Sequence, residues 1–242
     1  MDKRNQTKVV FGFIIIFSLL LLLILPLWNV EIIEYDVTSD QPYYSQRDIE
    51  IVMGITENTH ILNITSNNVE QCMEKLPFIE SMSIEKIFPN KLKIKVTERI
   101  PLGYISFSGS YLLISTKAVV IAEQRERFYS LPLIEGVKVE QFSLGQPLTI
   151  LNDEHMLALE LILNEFKKYD IVSNITNINI GNLEQIHLYI GKLNVIIGNI
   201  DDFDKKIAWL NSIYQEYTVG VLDLSNVGSD SGSSSAVLRP LE

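Results

Sequence analysis

Ser81-Met82-Ser83-Ile84-Glu85-Lys86-Ile87-Phe88-Pro89-Asn90-Lys91-Leu92-Lys93-Ile94-Lys95-Val96-Thr97 decides how the first half of this chain folds. Met82 and Ile84 alternate with Ser81, Ser83 and Glu85. Leu92, Ile94 and Val96 alternate with Lys91, Lys93, Lys95 and Thr97. A period of two is the mark of a strand with one buried face. Between the runs, Phe88-Pro89-Asn90-Lys91 is a tight-turn sequence, since proline presets φ and asparagine tolerates strained turn geometry. The spacing predicts a β-hairpin. The lysine row reads as the solvated face of a sheet rather than as a functional basic patch.

Towards the N-terminus the period changes to 3.6. Thr65 or Ser66 caps a helix that ends near Leu76, before Pro77. Val69, Met73 and Leu76 share one face with Cys72 beside them, so Cys72 reads as a small buried apolar residue rather than a reactive thiol. Ser45 followed by Asp48-Ile49-Glu50 has the spacing of a helix N-cap, and that short helix stops at Gly54, which tolerates a left-handed backbone. Val30 to Val37, rich in Val, Ile and Tyr, suits a first strand. Residues 29–99 thus form a β-α-α-β-β unit.

Further upstream, residues 9–28 carry no charge. Twenty helical residues rise roughly 30 Å, the hydrocarbon thickness of a bilayer. Backbone amides in lipid must be satisfied within the segment, so a helix is expected. Pro26 stands near its exit and Trp28 suits the interface. Lys3, Arg4 and Lys8 precede the run, while Glu31, Glu34 and Asp36 follow it. The positive-inside rule puts residues 1–8 in the cytoplasm as a short tail and everything after the span outside. A cleaved signal peptide fits less well. The run exceeds the roughly 7–15 residues of a signal core, and no small-x-small cleavage site follows Trp28.

Beyond the span, about 210 residues carry 17 basic and 29 acidic side chains, a net charge of −12. Such a balance argues against nucleic acid or anionic lipid as the main partner of the outer region. One cysteine excludes an intrachain disulfide framework, so stability must come from packed cores.

Leu76-Pro77-Phe78-Ile79-Glu80, running through the hairpin to Val96-Thr97-Glu98-Arg99-Ile100-Pro101, resembles the end of a POTRA domain of the FtsQ/DivIB type. In that family an L-P-x-V stretch leads to a strand, an R-x-x-P-x-x-L turn, and a strand ending in V-x-E-R-x-P. Lys86 stands where the arginine is usual, and Gly103 replaces a common alanine. Gly54 with His60-Ile61-Leu62 also looks like the family's region between the helices.

Residues 100–224 read as a second, strand-rich domain. Leu102 to Phe107, Tyr111 to Ser115 and Val119 to Ala122 are short strands separated by turns, and Leu131 to Gly136 is another extended piece. Asn152 or Asp153 caps a helix whose Leu159, Ile162, Leu163 and Phe166 form a stripe at i, i+3, i+4, i+7. Ile175 to Ile180, Gln185 to Ile190 and Leu193 to Ile197 supply more strands, with Gly181 and Gly191 at turns. Asp201 and Asp202 open a helix that buries Phe203, Ile207, Leu210 and Tyr214, and Val219 to Leu224 closes the domain. Residues 225–242 form a Ser/Gly-rich tail in which Ala236-Val237-Leu238-Arg239 reads as an edge strand ended by Pro240. The order resembles the β domain that follows POTRA in this family. The expected fold class is α+β: a single transmembrane helix, a POTRA-like domain, then a mixed β domain with two helices.

No catalytic constellation emerges. His60, His155 and His187 lack a second ligand at metal-binding spacing. Asp153-Glu154-His155 and Asp201-Asp202 with Asp204 are explained by carboxylates at helix starts. Asn63-Ile64-Thr65 and Asn174-Ile175-Thr176 match the glycosylation sequon, a triplet common by chance. No serine sits in a nucleophile motif, and no glycine-rich phosphate loop occurs. The expectation is a non-enzyme with no metal and no cofactor.

The resemblance implies a cell-division scaffold, concentrated at the septum, that binds FtsL-like and FtsB/DivIC-like single-pass proteins and reaches septal peptidoglycan synthases. In the family the last strands of the β domain carry that contact. Here their places are taken by Val221, Leu222, Asp223 and Leu224 and by Ala236, Val237, Leu238 and Arg239. Ser225 stands where the family has an arginine. The alternative is a membrane-anchored cell-wall enzyme or ligand-binding module. An export component would need a membrane barrel, which two amphipathic helices in the remainder do not suit.

Overall fold

The computed structural model describes residues 8, 10–18, 26–39, 41–56, 58–216 and 218–228, together with the backbone of 237–239. Residues 10–18 are helical. Much of the expected span, residues 9 and 19–25, lies outside the described residues, as do residues 1–7. No helix among the described residues is long and apolar enough to cross a membrane. The chain divides into two compact units, Met1–Glu98 and Arg99–Glu242.

The first unit contains β1 (Ile32–Val37), α1 (Gln46–Met53), α2 (Ser66–Lys75), β2 (Ile79–Ile87) and β3 (Lys91–Glu98). Its sheet order is β1-β3-β2, with β1 parallel and β2 antiparallel to the central β3. Local chemistry fixes the helix ends. The Ser45 hydroxyl accepts the Asp48 amide at 3.2 Å while the Asp48 carboxylate accepts the Ser45 amide at 2.9 Å, a reciprocal capping box. Gly54, at φ 70°, closes α1 as expected. At the start of α2, Asn68 Oδ1 accepts the Thr65 amide at 2.8 Å.

The predicted hairpin forms with Ile84 opposite Ile94 and Met82 opposite Val96. Leu92, Ile94 and Val96 are buried with Ile49, Met53, Ile61, Ile64 and Leu76. Cys72 is fully buried among them, and burial pushes its thiol up to about 11. The lysine row is a sheet face, as the alternation suggested. Lys93 pairs in register with Glu34 and Glu85, Lys95 pairs with Asp36, and Lys91 bridges Glu34. These carboxylates balance the lysines. The first strand is shorter than the sequence indicated. The amides of Val30 and Glu31 go to the carbonyls of Thr59 and Asn90 instead of into the ladder.

In the second unit the chain forms β4 (Gly103–Phe107), β5 (Ser110–Ile114), β6 (Val120–Gln124), β7 (Leu133–Glu135), β8 (Val139–Gln141) and β9 (Thr149–Ile150). These lead to α3 (Asp153–Phe166), β10 (Asn177–Asn179), β11 (Ile186–Ile190), β12 (Lys192–Gly198), α4 (Phe203–Ile213), β13 (Val219–Asp223) and β14 (Val237–Arg239). Among the described residues, nine strands join in the order β14-β13-β12-β11-β10-β7-β4-β5-β6, and β8 pairs with β9 alone. Parallel neighbours need crossovers. The β7–β10 connection carries α3, and the β12–β13 connection carries α4.

Asn152 caps α3 by accepting the Glu154 amide at 2.8 Å. The Leu159, Ile162, Leu163 and Phe166 stripe is buried against Ile178, Leu188, Val195 and other sheet residues. Asp202 does stand at the cap position of α4, but not by the expected chemistry. At φ 52° it makes no side-chain cap bond, and its carboxylate accepts Lys205 Nζ at 2.6 Å. Asp201 instead accepts the side-chain amide of Asn199 at 2.7 Å.

Candidate functional site

The C-terminal edge of the large sheet collects the residues singled out in the sequence. The β13 strand is parallel to β12, with Val195 opposite Leu222 and Ile196 opposite Asp223. On its other side it is antiparallel to β14, with Val221 opposite Arg239, Leu222 opposite Leu238 and Asp223 opposite Val237. Both edges of β13 are therefore used. The outer edge of β14 has no neighbour among the described residues, and a sheet edge is where a further strand can add. Ala236 lies outside the described residues.

The four residues of the Val221–Leu224 stretch divide by face. Leu222 and Leu224 are buried in the core beneath α3 and α4, while Val221 and Asp223 are half-buried on the opposite side. The Asp223 carboxylate accepts the Ser225 amide at 3.0 Å and the Ser225 hydroxyl at 2.6 Å. That side chain holds the turn after β13 rather than reaching outward. Backbone packing is close here, since a Cβ on Gly198 would meet the Ser225 side chain at 2.9 Å.

The helix-free face beside Val221 continues in register through Asn194 on β12, Tyr189 on β11 and Asn177 on β10. His187 Nδ1 lies 3.1 Å from Asn194 Oδ1, and its ring stacks near Tyr189 at 6.4 Å. Strand pairing, which single-sequence periodicity does not reveal, brings this polar and aromatic row together.

Among the described residues no three His, Cys, Asp or Glu side chains gather where they could hold a metal ion. His60 Nδ1 accepts the Leu62 amide at 3.3 Å and starts the short turn Ile61–Asn63. His155 lines a cavity of about 240 Å³ with Lys138, Asn152 and the close-packed Gly136 and Gly181. In α4, Lys206 is 1% exposed and donates to the Asn199 carbonyl at 3.0 Å and its side-chain oxygen at 3.2 Å. Burial lowers its pKa. These hydrogen bonds of His60 and Lys206 go to neighbouring stretches of chain, whereas His155 Nδ1 is buried without a hydrogen-bond partner among the described residues.

Residues 36–99 match the POTRA domain, FtsQ-type. The cell division protein DivIB of Clostridium botulinum (strain Hall) is 30% identical over 218 residues, covering 85% of this chain and 80% of that protein. This chain belongs to the FtsQ/DivIB family. DivIB of Clostridium tetani is 27% identical over 200 residues, covering 79% of this chain and 74% of its own length. The cell division protein FtsQ of Syntrophotalea carbinolica is 25% identical over 182 residues, covering 74% and 64%.

The FtsQ/DivIB signature acquires physical roles in this chain. Glu98 of Val96-Thr97-Glu98-Arg99 accepts the Tyr43 amide at 2.9 Å, joining the end of β3 to the segment before α1. Gly54 supplies the left-handed stop of α1. Lys86, at the position where the family has arginine, lines a groove of about 470 Å³ between α2 and β2 with Ile64, Val69, Met82 and Ile84.

Proposed function

We propose that this protein is a non-catalytic, single-pass scaffold of the bacterial division machinery. It holds other single-pass division proteins, of the FtsL and FtsB/DivIC types, through its extracytoplasmic units. Residues 9–28 anchor it with residues 1–8 in the cytoplasm. The unit over 29–99 offers a docking face, the unit over 100–224 carries the partner site, and the protein collects at the septum. Through these partners it reaches the septal peptidoglycan synthases.

The observation that supports this best is the outer edge of β14, unpaired among the described residues, in a sheet whose other C-terminal strand, β13, is paired on both sides. An extended partner segment adds to such an edge by main-chain hydrogen bonds. Of the residues named from the sequence, Val237, Leu238 and Arg239 then meet the partner through their backbone. Val221 and Asp223 lie one strand in, and Leu222 and Leu224 support the strand from the core. Shared confinement to one membrane raises the effective concentration of single-pass partners.

Co-purification tests the reading. Truncation after Gly228 removes β14 while keeping Leu222, Leu224 and Val227 in the core. It is expected to abolish recovery of FtsL- and DivIC-like proteins without unfolding either unit. Undiminished recovery overturns the β14 site. Unaffected septation on depletion of the protein overturns the division role.

A further inference from the structure

The outward face of the three-stranded sheet is charged or polar in every cross-strand row but one. Glu34–Lys93–Glu85 is one row and Asp36–Lys95–Ser83 the next. The first row, Ile32–Lys91–Ile87, is different: two isoleucines flank a lysine. Ile32 is 50% exposed and Ile87 38%, and the adjoining turn presents Phe88 at 55%. This is also the end at which the chain arrives from the uncharged run. Trp28 meets the Phe88 ring edge-on at 5.7 Å, Asn29 is bridged to His60, and the Glu31 amide donates to the Asn90 carbonyl at 2.9 Å.

We propose that this end of the sheet, with Ile32, Ile87 and Phe88 around Trp28, rests in the headgroup layer of a lipid bilayer. The inference rests on the reading of residues 9–28 as a membrane span. Chain length argues for it. The apolar run ends at Trp28 and the fold begins at Asn29, so no linker holds the unit away. The headgroup layer is roughly 5–8 Å deep on each side, the difference between the full bilayer and its hydrocarbon core. Phe88, in ring contact with Trp28, therefore falls within it.

The chemistry fits the same place. Aromatic rings favour the interface, and long lysine stems lie along apolar surface while their ammonium groups reach phosphate. Lys91, which also bridges Glu34, is the cation of this row, while Lys86 lies on the other face of β2 in the groove beside α2. A protein partner would not need the apolar row to stop where the span does. A lipid surface does, and beyond the first row the exposed sheet face turns charged. The contact fixes the tilt of the first unit on the membrane.

Lipid-depth quenching of tryptophan tests this in the full chain, reconstituted in nanodiscs with acyl chains brominated near the headgroup. In a Trp28→Phe, Trp209→Phe background, Phe88→Trp and Ile87→Trp report the proposed contact. Tyr43→Trp, beside Glu98 at the other end of the sheet, is the control. Emission from the first two is expected to fall to about half or less, and that of the control by less than about a tenth. Ile87→Trp leaves the turn residues in place, so a local disturbance at Phe88 does not blur the result. If neither site is quenched in protein that resists alkaline extraction, the contact is overturned and the anchor stands. If alkali extracts the protein, the anchor reading fails and the contact falls with it.

Discussion

The two carboxylate oxygens of Glu98 accept the backbone N–H of Tyr43 at 2.9 and 3.1 Å, across 55 residues of sequence. One of them also accepts the Tyr44 amide at 3.3 Å. Tyr43 in turn stacks on Phe78 with ring centroids 3.6 Å apart. Glu98 thus ties the last residue of β3 to the loop before α1, and Phe78 ties that loop to the segment before β2. Glu98→Ala leaves two backbone amides without an acceptor and is expected to cost about 1–3 kcal/mol. Glu98→Gln keeps a carbonyl acceptor and should cost less. Urea denaturation of residues 29–242, followed through the tyrosines, gives the comparison.

Cys72 is held protonated by its apolar surroundings. Disulfide-exchange reagents at pH 8 should label it slowly in the native protein and rapidly after unfolding. The sign of the pH dependence follows. The folded state keeps a proton that the unfolded thiol releases, so stability falls as pH rises from the ordinary thiol range through about 11. Cys72→Ala should remove that alkaline loss, read as urea midpoints across the same range.

Gly136 and Gly181 let the ends of parallel β7 and β10 approach. A Cβ on Gly136 would lie 2.1 Å from the Gly181 amide nitrogen, at φ 88°. Gly109 has the same φ of 88° with open space around it. Gly109→Ala should therefore cost about 1 kcal/mol from backbone strain alone. Gly136→Ala must also push the two backbones apart and should cost more than about 3 kcal/mol, visible as a lower melting temperature of the second unit.

Much of this architecture was legible because its signals are local. Ser45 with Asp48, Gly54, the hairpin alternation and the Leu159 to Phe166 stripe each depend on residues a few positions apart. The strand order was not legible. The β4–β7 and β7–β10 neighbours are parallel and pair through short stretches, with Tyr104 opposite Leu133 and Leu133 opposite Asn177. Nothing in either segment specifies the other. Val139–Gln141 and Thr149–Ile150 are too short to show a period. Of the site, the edge position of Val237 to Arg239 could be read from Pro240. The division of Val221 to Leu224 between two faces follows the two-residue period. The use of Asp223 to hold Ser225 needed the folded turn.

Lys206 is a buried cation whose hydrogen bonds go to Asn199. Burial favours its neutral form and outweighs the opposing pull of Asp201 and Asp202, so the folded state binds its proton less tightly than the unfolded chain. Stability should therefore rise as pH climbs towards the ordinary lysine range, because the cost of the buried charge disappears. Lys206→Met keeps most of the volume and should remove this rise, with a change at pH 7 below about 1.5 kcal/mol. Lys206→Ala opens a cavity and should cost about 2–4 kcal/mol. Calorimetry at about pH 7 and about pH 9.5 separates the two effects.

Leu238→Pro addresses the β14 ladder. Leu238 sits opposite Leu222 in the middle of β14, so proline removes an amide and restricts the residue before it. Only β14 and its outer neighbour depend on that geometry, because β13 remains paired to β12. The variant should keep the melting temperature of the second unit within a few degrees, since β13 keeps its ladder with β12. Recovery of FtsL- and DivIC-like proteins should fall at least tenfold, about 1.4 kcal/mol of lost main-chain pairing. A variant with unchanged recovery means that partners do not use the β14 ladder. One that also melts early means that β14 belongs to the core of the sheet, and its edge would then be a structural boundary.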